Sequence, residues 1–261
     1  MAKIFQVDAF TREKFKGNPA IICMLERPAD DHWMQAIAYE MNMSETAFVL
    51  PVNDGYNLRW FTPTTEVDLC GHATLAAAHV LFETAVLSPT EFARFQTRSG
   101  LLTVKRQQDV LVMDFPAEPP KQFPVTPLIH RAFGVNPVYV GQNRMDMMLH
   151  VSDPDTVTEF NPDFYELAEF PVRGIILTSH SDDPRFDFIS RFFAPRVGIN
   201  EDPVTGSAHC CLGPYWAEIL GKKELLGYQA SMRGGEVSMI VSPSSVLIGG
   251  HAVTVMHGEL V

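Results

Sequence analysis

Apolar and polar positions alternate in short runs over the first hundred residues, and two long apolar stretches break that rhythm. Lys3 to Phe10 alternates around Ile4, Phe5, Val7 and Ala9 and predicts a strand. Phe15-Lys16-Gly17-Asn18-Pro19 reads as a turn, followed by a short apolar strand from Ala20 to Leu25. Asp30 and Asp31 are placed to cap a helix whose apolar residues Trp33, Ile37 and Met41 recur at helical spacing, ending near Asn42. Ser44-Glu45 then leads into a strand over 46–50, and Tyr56 to Phe61 forms another. The stretch from Ala73 to Phe82 has no polar face, which predicts a helix buried on every side. Strand patterns at 92–97, 101–106 and 110–115 would wrap it.

Residues 116–124 hold four prolines in nine positions and exclude regular structure. They set the expected boundary between an N-terminal half, 1–118, and a C-terminal half, 119–261. The second half repeats the scheme: a short helix around Leu128 to Phe133, then strands at 137–140, 147–151, 174–178 and 186–193. A second mostly apolar helix follows Ser207, with a kink expected at Gly213-Pro214, and strands at 235–241, 246–249 and 252–256 close the chain. The pattern predicts an α+β chain of two similar halves, each a curled sheet enclosing one helix.

The two apolar helices share an entry motif. Asp68-Leu69-Cys70-Gly71-His72-Ala73-Thr74 opens the first and Asp202-Pro203-Val204-Thr205-Gly206-Ser207-Ala208 the second. Phe61 and Pro63 precede one, as Phe193 and Pro195 precede the other. The glycines lie 135 positions apart and the phenylalanines 132, so a three-residue insertion separates two parallel segments. The first N–H groups of a helix lack internal partners and sit at the positive end of its dipole. Two such starts facing each other would make a site for a carboxylate. Read singly, each glycine is an ordinary turn residue and Asp202, Thr205 and Ser207 are ordinary capping residues. The shared Phe-x-Pro favours one unit used twice.

Composition narrows the partners. A chain of 261 residues with 46% hydrophobic and 20% charged residues fits a globular protein of one or two domains. A formal charge of −11 without a basic stripe argues against nucleic acid. No apolar run reaches membrane-spanning length, and the start enters a strand pattern directly, so a cytoplasmic protein is expected. Cys23, Cys70, Cys210 and Cys211 show no framework spacing. His209, Cys210 and Cys211 are consecutive on a predicted helix and point apart, so no metal site is expected there or elsewhere.

Asp8-Ala9-Phe10, Gly17-Asn18-Pro19, Ser44-Glu45-Thr46-Ala47-Phe48 and the two glycine motifs, in this order along essentially the whole chain, resemble the PhzF-like phenazine-biosynthesis family. The resemblance implies a diaminopimelate-epimerase-like fold: two pseudo-symmetric domains, each a rolled, mostly antiparallel sheet around a central helix, with the active site in the cleft between them. It also implies a cofactor-free isomerase, usually a homodimer, acting on a small carboxylate. The position matching the family's proton-transferring glutamate is Glu45, and burial is expected to raise its pKa toward neutrality. His72, Asp202 and Ser207 match further polar active-site positions. Ser44, Gly71, Thr205 and Gly206 are expected to bind substrate. His79, His150 and His251 lack such context. Cys70 matches the first catalytic cysteine of related racemases, but Thr205 stands at the second position, and a hydroxyl is too weak an acid or base to replace a thiol. Two other readings remain open: an epimerase using Glu45 with Cys70, and a non-catalytic carboxylate binder. No Gly-x-Ser-x-Gly, Gly-x-Gly-x-x-Gly or Walker-type loop supports hydrolysis or nucleotide use.

Overall fold

A computed structural model describes residues 2–261 and divides into two units. The first holds the chain up to Asp114 and again from Gly249 to Val261; the second holds Phe115–Ile248. Elements of the first unit are β1 (Ala2–Ala9), β2 (Asn18–Met24), α1 (Asp31–Met41), β3 (Glu45–Val52) and β4 (Gly55–Phe61). They continue with β5 (Glu66–Val67), α2 (Gly71–Glu83), β6 (Phe92–Thr97), β7 (Gly100–Gln107) and β8 (Val110–Pro116). β1 runs antiparallel to β2, β2 parallel to β3, β3 antiparallel to β4, β4 parallel to β6, and β6 antiparallel to β7.

The second unit begins with β9 (Lys121–Gln122), α3 (Pro127–Phe133), β10 (Tyr139–Gln142), β11 (Asp146–His150), α4 (Pro154–Thr158) and α5 (Phe164–Ala168). β12 (Gly174–His180), β13 (Phe188–Phe193), α6 (Gly206–Leu220), β14 (Glu224–Gln229), β15 (Gly235–Val241) and β16 (Ser245–Gly250) follow. From β10 to β15 the pairings again alternate antiparallel, parallel, antiparallel, parallel, antiparallel. The repeat holds in register. Thr46 pairs with Phe61 as Ile175 pairs with Phe193, and Glu45 lies opposite Ala20 as Gly174 lies opposite Asp146.

Both central helices are buried as their apolar sequences require. In α2 only Gly71, His79 and Glu83 fall outside the buried set, and the helix packs against β1, β2 and β3. In α6, Trp216 is fully enclosed; its indole N–H donates to Thr178 Oγ1 at 3.1 Å and its ring stacks on Phe188. α6 continues through Pro214, which lies inside the helix from Gly206 to Leu220. Asp30 caps α1 by accepting from the His32 and Trp33 amides, as its position predicts.

Two features depart from the sequence expectation. The division falls at Asp114/Phe115, and the last strand, β17 (Ala252–Leu260), returns to the first unit as the antiparallel partner of β1. The C-terminal half therefore does not extend from 119 to 261: the apolar pattern predicts a strand there but does not name its partner. The sequence reading also omits β5, β14 and the five-residue helices α4 and α5, and the proline-rich stretch expected to exclude regular structure holds the two-residue strand β9, paired with β10. Among the described residues no helix is long and apolar enough to cross a membrane.

Candidate active site

Glu45 is the first residue of β3 and His72 the second of α2, so the parallel β2–β3 ladder and the helix start bring a carboxylate and an imidazole together. His72 Nε2 lies 3.1 Å from Glu45 Oε2, with 12% of the glutamate side chain exposed. That is an ion-pair distance without hydrogen-bond alignment, because Oε2 is buried and has no donor directed at it among the described residues. Ser44 Oγ donates to the Pro19 carbonyl and sits 3.4 Å from His72 Nε2. Cys70 Sγ lies 3.5 Å from His72 Nδ1. Cys70 occupies the N-cap of α2, but its side chain caps nothing; it belongs to the cluster instead.

The electrostatics correct one expectation. Burial by itself pushes the Glu45 carboxyl up, as the sequence suggests. The charge of His72 and the contacts of His72, Ser44 and Cys70 outweigh it, and the net shift is downward. Burial opposes the charge on His72 as well, yet the Cys70 sulfur and then the Glu45 carboxylate hold its proton well above the ordinary histidine range. The Cys70 thiol is pushed up by burial and by Glu45, so it is neutral near pH 7. Of these two neighbours of His72, Glu45 is the one ionised near pH 7. The resting cluster is a carboxylate beside an imidazolium, with a neutral thiol.

In the second unit Thr205 is the N-cap of α6 and, like Cys70, makes no side-chain cap bond. Its hydroxyl donates to Asp202 Oδ2 at 2.6 Å, and its amide donates to Gln229 Oε1 at 2.8 Å. Gln229 Nε2 donates in turn to the Asp202 carbonyl. The strand β14 thus pins the loop that precedes α6, through a glutamine the sequence reading did not single out. Ser207 caps nothing either. Its Oγ accepts from Arg173 Nη2 at 3.0 Å, and Arg173 is held by two bonds to the fully buried carboxylate of Asp146. Arg173 and Asp146 carry no motif; only the register of the repeat singles them out. Arg173 precedes β12 as Ser44 precedes β3, and Ser207 follows Gly206 as His72 follows Gly71. The repeat thus gives each unit a residue before a strand bonded to the second residue of a helix.

The metal-ligating atoms of Glu45, Cys70 and His72 lie within 4.8 Å of one another, the one such cluster among the described residues and close enough to share a metal ion. The sequence expectation looked instead at His209, Cys210 and Cys211. There His209 Nδ1 bonds the Thr205 carbonyl, and burial pushes its pKa down to about 4. His150 bonds Tyr215, His79 bonds Thr254, and His251 bonds the Asp109 carbonyl, all structural contacts.

The chain from 7 to 258 matches the family model described as phenazine biosynthesis-like protein, PhzC-PhzF. An uncharacterized isomerase of Halalkalibacterium halodurans is 53% identical over 259 residues, covering 98% of this chain and 97% of its own. A human phenazine biosynthesis-like domain-containing protein is 40% identical, covering 98% of each. Among solved structures, a PhzF-family phenazine biosynthesis protein from Enterococcus faecalis superposes with a TM-score of 0.96 at 41% identity, covering 100% of this chain and 99% of the other.

Proposed function

Because the chain belongs to the phenazine biosynthesis-like family, we propose that it is an isomerase that moves a proton between carbons of a small carboxylate substrate, without a cofactor and with Glu45 as the acid/base shuttle. The observation that carries this reading is the buried Glu45 Oε2, held ionised beside His72 and lacking an aligned donor. A carboxylate in that state is deprotonated near neutrality and so available to take a C–H proton next to a carboxylate or along a conjugated system. Its lowered pKa makes it a weak base, so the charge that develops on the substrate has to be stabilised. The electron pair left behind delocalises into the substrate. Glu45, now protonated, returns the same proton to another carbon, and carboxylate and substrate end with no net gain or loss of electrons. His72, kept cationic, steadies the developing charge.

The remaining roles are part of the same proposal and rest on what each side chain touches. Ser44 fixes the His72 ring, and the uncapped start of α2 at Gly71 and that of α6 at Gly206 each offer backbone N–H groups to a carboxylate. Ser207 adds a hydroxyl to the second of these, while Asp202, steadied by Thr205, takes a substrate amino or hydroxyl group.

An epimerase with Cys70 as second base is the alternative that the 3.5 Å contact to His72 keeps in view. The second repeat adds no further base to it: the positions matching Cys70, His72 and Glu45 are Thr205, Ser207 and Gly174, none of which titrates near neutrality. One experiment separates the readings. Cyclic dienoic acids and amino-acid enantiomers are incubated in D2O with the wild type, Glu45→Gln and Cys70→Ala, and carbon-bound deuterium is followed by NMR. Exchange in the wild type that falls at least about 10²-fold in Glu45→Gln and persists in Cys70→Ala is expected. Exchange surviving in Glu45→Gln removes it as the base, and loss in Cys70→Ala supports the two-base epimerase. Ligand-induced stabilisation with no exchange in the wild type marks a binder without chemistry.

A further inference from the structure

In the second unit a pocket of about 460 Å³ is lined by Arg144, Arg173 and Arg196 and by no aspartate or glutamate. Two of these charges are countered behind the lining, Arg173 by Asp146 and Arg144 by Glu118, but in a chain of net charge −11 the pocket wall itself presents guanidinium groups only. The three guanidinium groups differ in how they are held. Arg173 is fixed: two bonds to buried Asp146, one from Nη2 to Ser207, and the Phe192 ring 5.4 Å from its carbon. Its Nη1 makes no hydrogen bond among the described residues. Arg196 reaches only the carbonyls of Ala168 and Phe170, both at 3.5 Å, and no carboxylate lies within ion-pair distance of it among the described residues. Arg144 pairs with Glu118 at 3.1 Å, but with 69% of its side chain exposed that pair is weak and easily exchanged.

The repeat explains why a cation sits here. Gly174 stands where the first unit has Glu45, and a Cβ on Gly174 would lie 2.2 Å from the Phe192 ring. A glutamate side chain there would collide with that ring. The preceding residue, Arg173, standing where the first unit has Ser44, projects a guanidinium instead. The two repeats have diverged to opposite charge.

We propose that this pocket is a binding site for a small oxyanion, carboxylate or phosphate, with Arg173 as its fixed anchor and Arg144 and Arg196 as the arms that close on it. Planar guanidinium forks match both groups, and an anchor already ordered by Asp146 and Phe192 loses little freedom on binding. The inference rests on the pocket itself and not on the proton-transfer reading. Titration calorimetry at low ionic strength, in a buffer without anionic components, tests it with succinate and separately with inorganic phosphate. Saturable binding of one probe is expected, and the probe that binds identifies the group. Affinity falls as salt is added, and by at least about tenfold in the double variant Arg144→Ala/Arg196→Ala. Both side chains are exposed, so the thermal melt of that variant should match the wild type. Failure of both probes to bind the wild type overturns the proposal. So does undiminished binding in the double variant, which would place the anion elsewhere, for example at a helix start.

Discussion

Glu45 and His72 shift in opposite directions, and each shift carries its own pH dependence. Glu45 titrates below 4.5 in the folded chain, so its contribution to stability is complete above that pH and is lost as the pH falls through the lowered value. His72 titrates above 6.5, so its contribution is complete below 6.5 and is lost as the pH rises through the raised value. Both act in full between these limits. Urea unfolding from about pH 5 to about pH 9 tests the assignment. Above 6.5 the folded wild type retains a proton that the unfolded chain releases, so its stability should decline there. His72→Gln should lack that decline. Buried His209, whose pKa is pushed down to about 4, acts on the acid side in both proteins and cancels in the difference. Parallel curves for the two proteins above pH 6.5 would mean that His72 is neutral in the folded state. Activity, if it needs the carboxylate and the imidazolium together, should show limbs outside the same two limits.

Between elements, two glycines at matching ends of a helix and a strand do different work. A Cβ on Gly71 meets nothing within 4 Å, whereas one on Gly174 collides with the Phe192 ring beneath Arg173. Gly174→Ala should therefore cost about 1–3 kcal/mol by overpacking, and Gly71→Ala should leave the urea midpoint nearly unchanged. Equal effects would show that the Phe192 ring moves aside freely. The same comparison shows how far the sequence could be read. The entry motifs of α2 and α6 are legible because glycine, a polar residue and an apolar run lie next to one another in the chain. Glu45 and His72 are legible as residues, but the direction of the Glu45 shift is not, since it depends on an imidazole 27 positions away. Arg173 and Asp146 are also 27 positions apart, with no local pattern to join them. Only the parallel ladder of β11 and β12 brings them together.

For the molecule as a whole, the first unit is discontinuous in sequence. The chain leaves it at Asp114, builds the second unit, and comes back at Gly249. The proline-rich stretch at 116–124 marks the departure, but nothing in the composition of the last thirteen residues announces the return. What the return supplies is specific. β17 pairs with β1 from Ala2↔Leu260 to Ala9↔Ala252, with one irregularity at Gln6/Val7, while β2 occupies the other edge of β1. Thr254 also donates to Glu83, at the end of α2, and contacts His79. Deleting residues 252–261 leaves one edge of β1 with unpaired backbone groups, a template for association with other chains. Hydrogen exchange on the truncated protein should therefore show protection lost first in β1 and then in β2, with β12 to β15 retaining theirs. The truncated chain should also associate at concentrations where the full chain does not. Uniform loss of protection would mean that the two units unfold as one, and unchanged protection in β1 would mean that its pairing with β2 is sufficient.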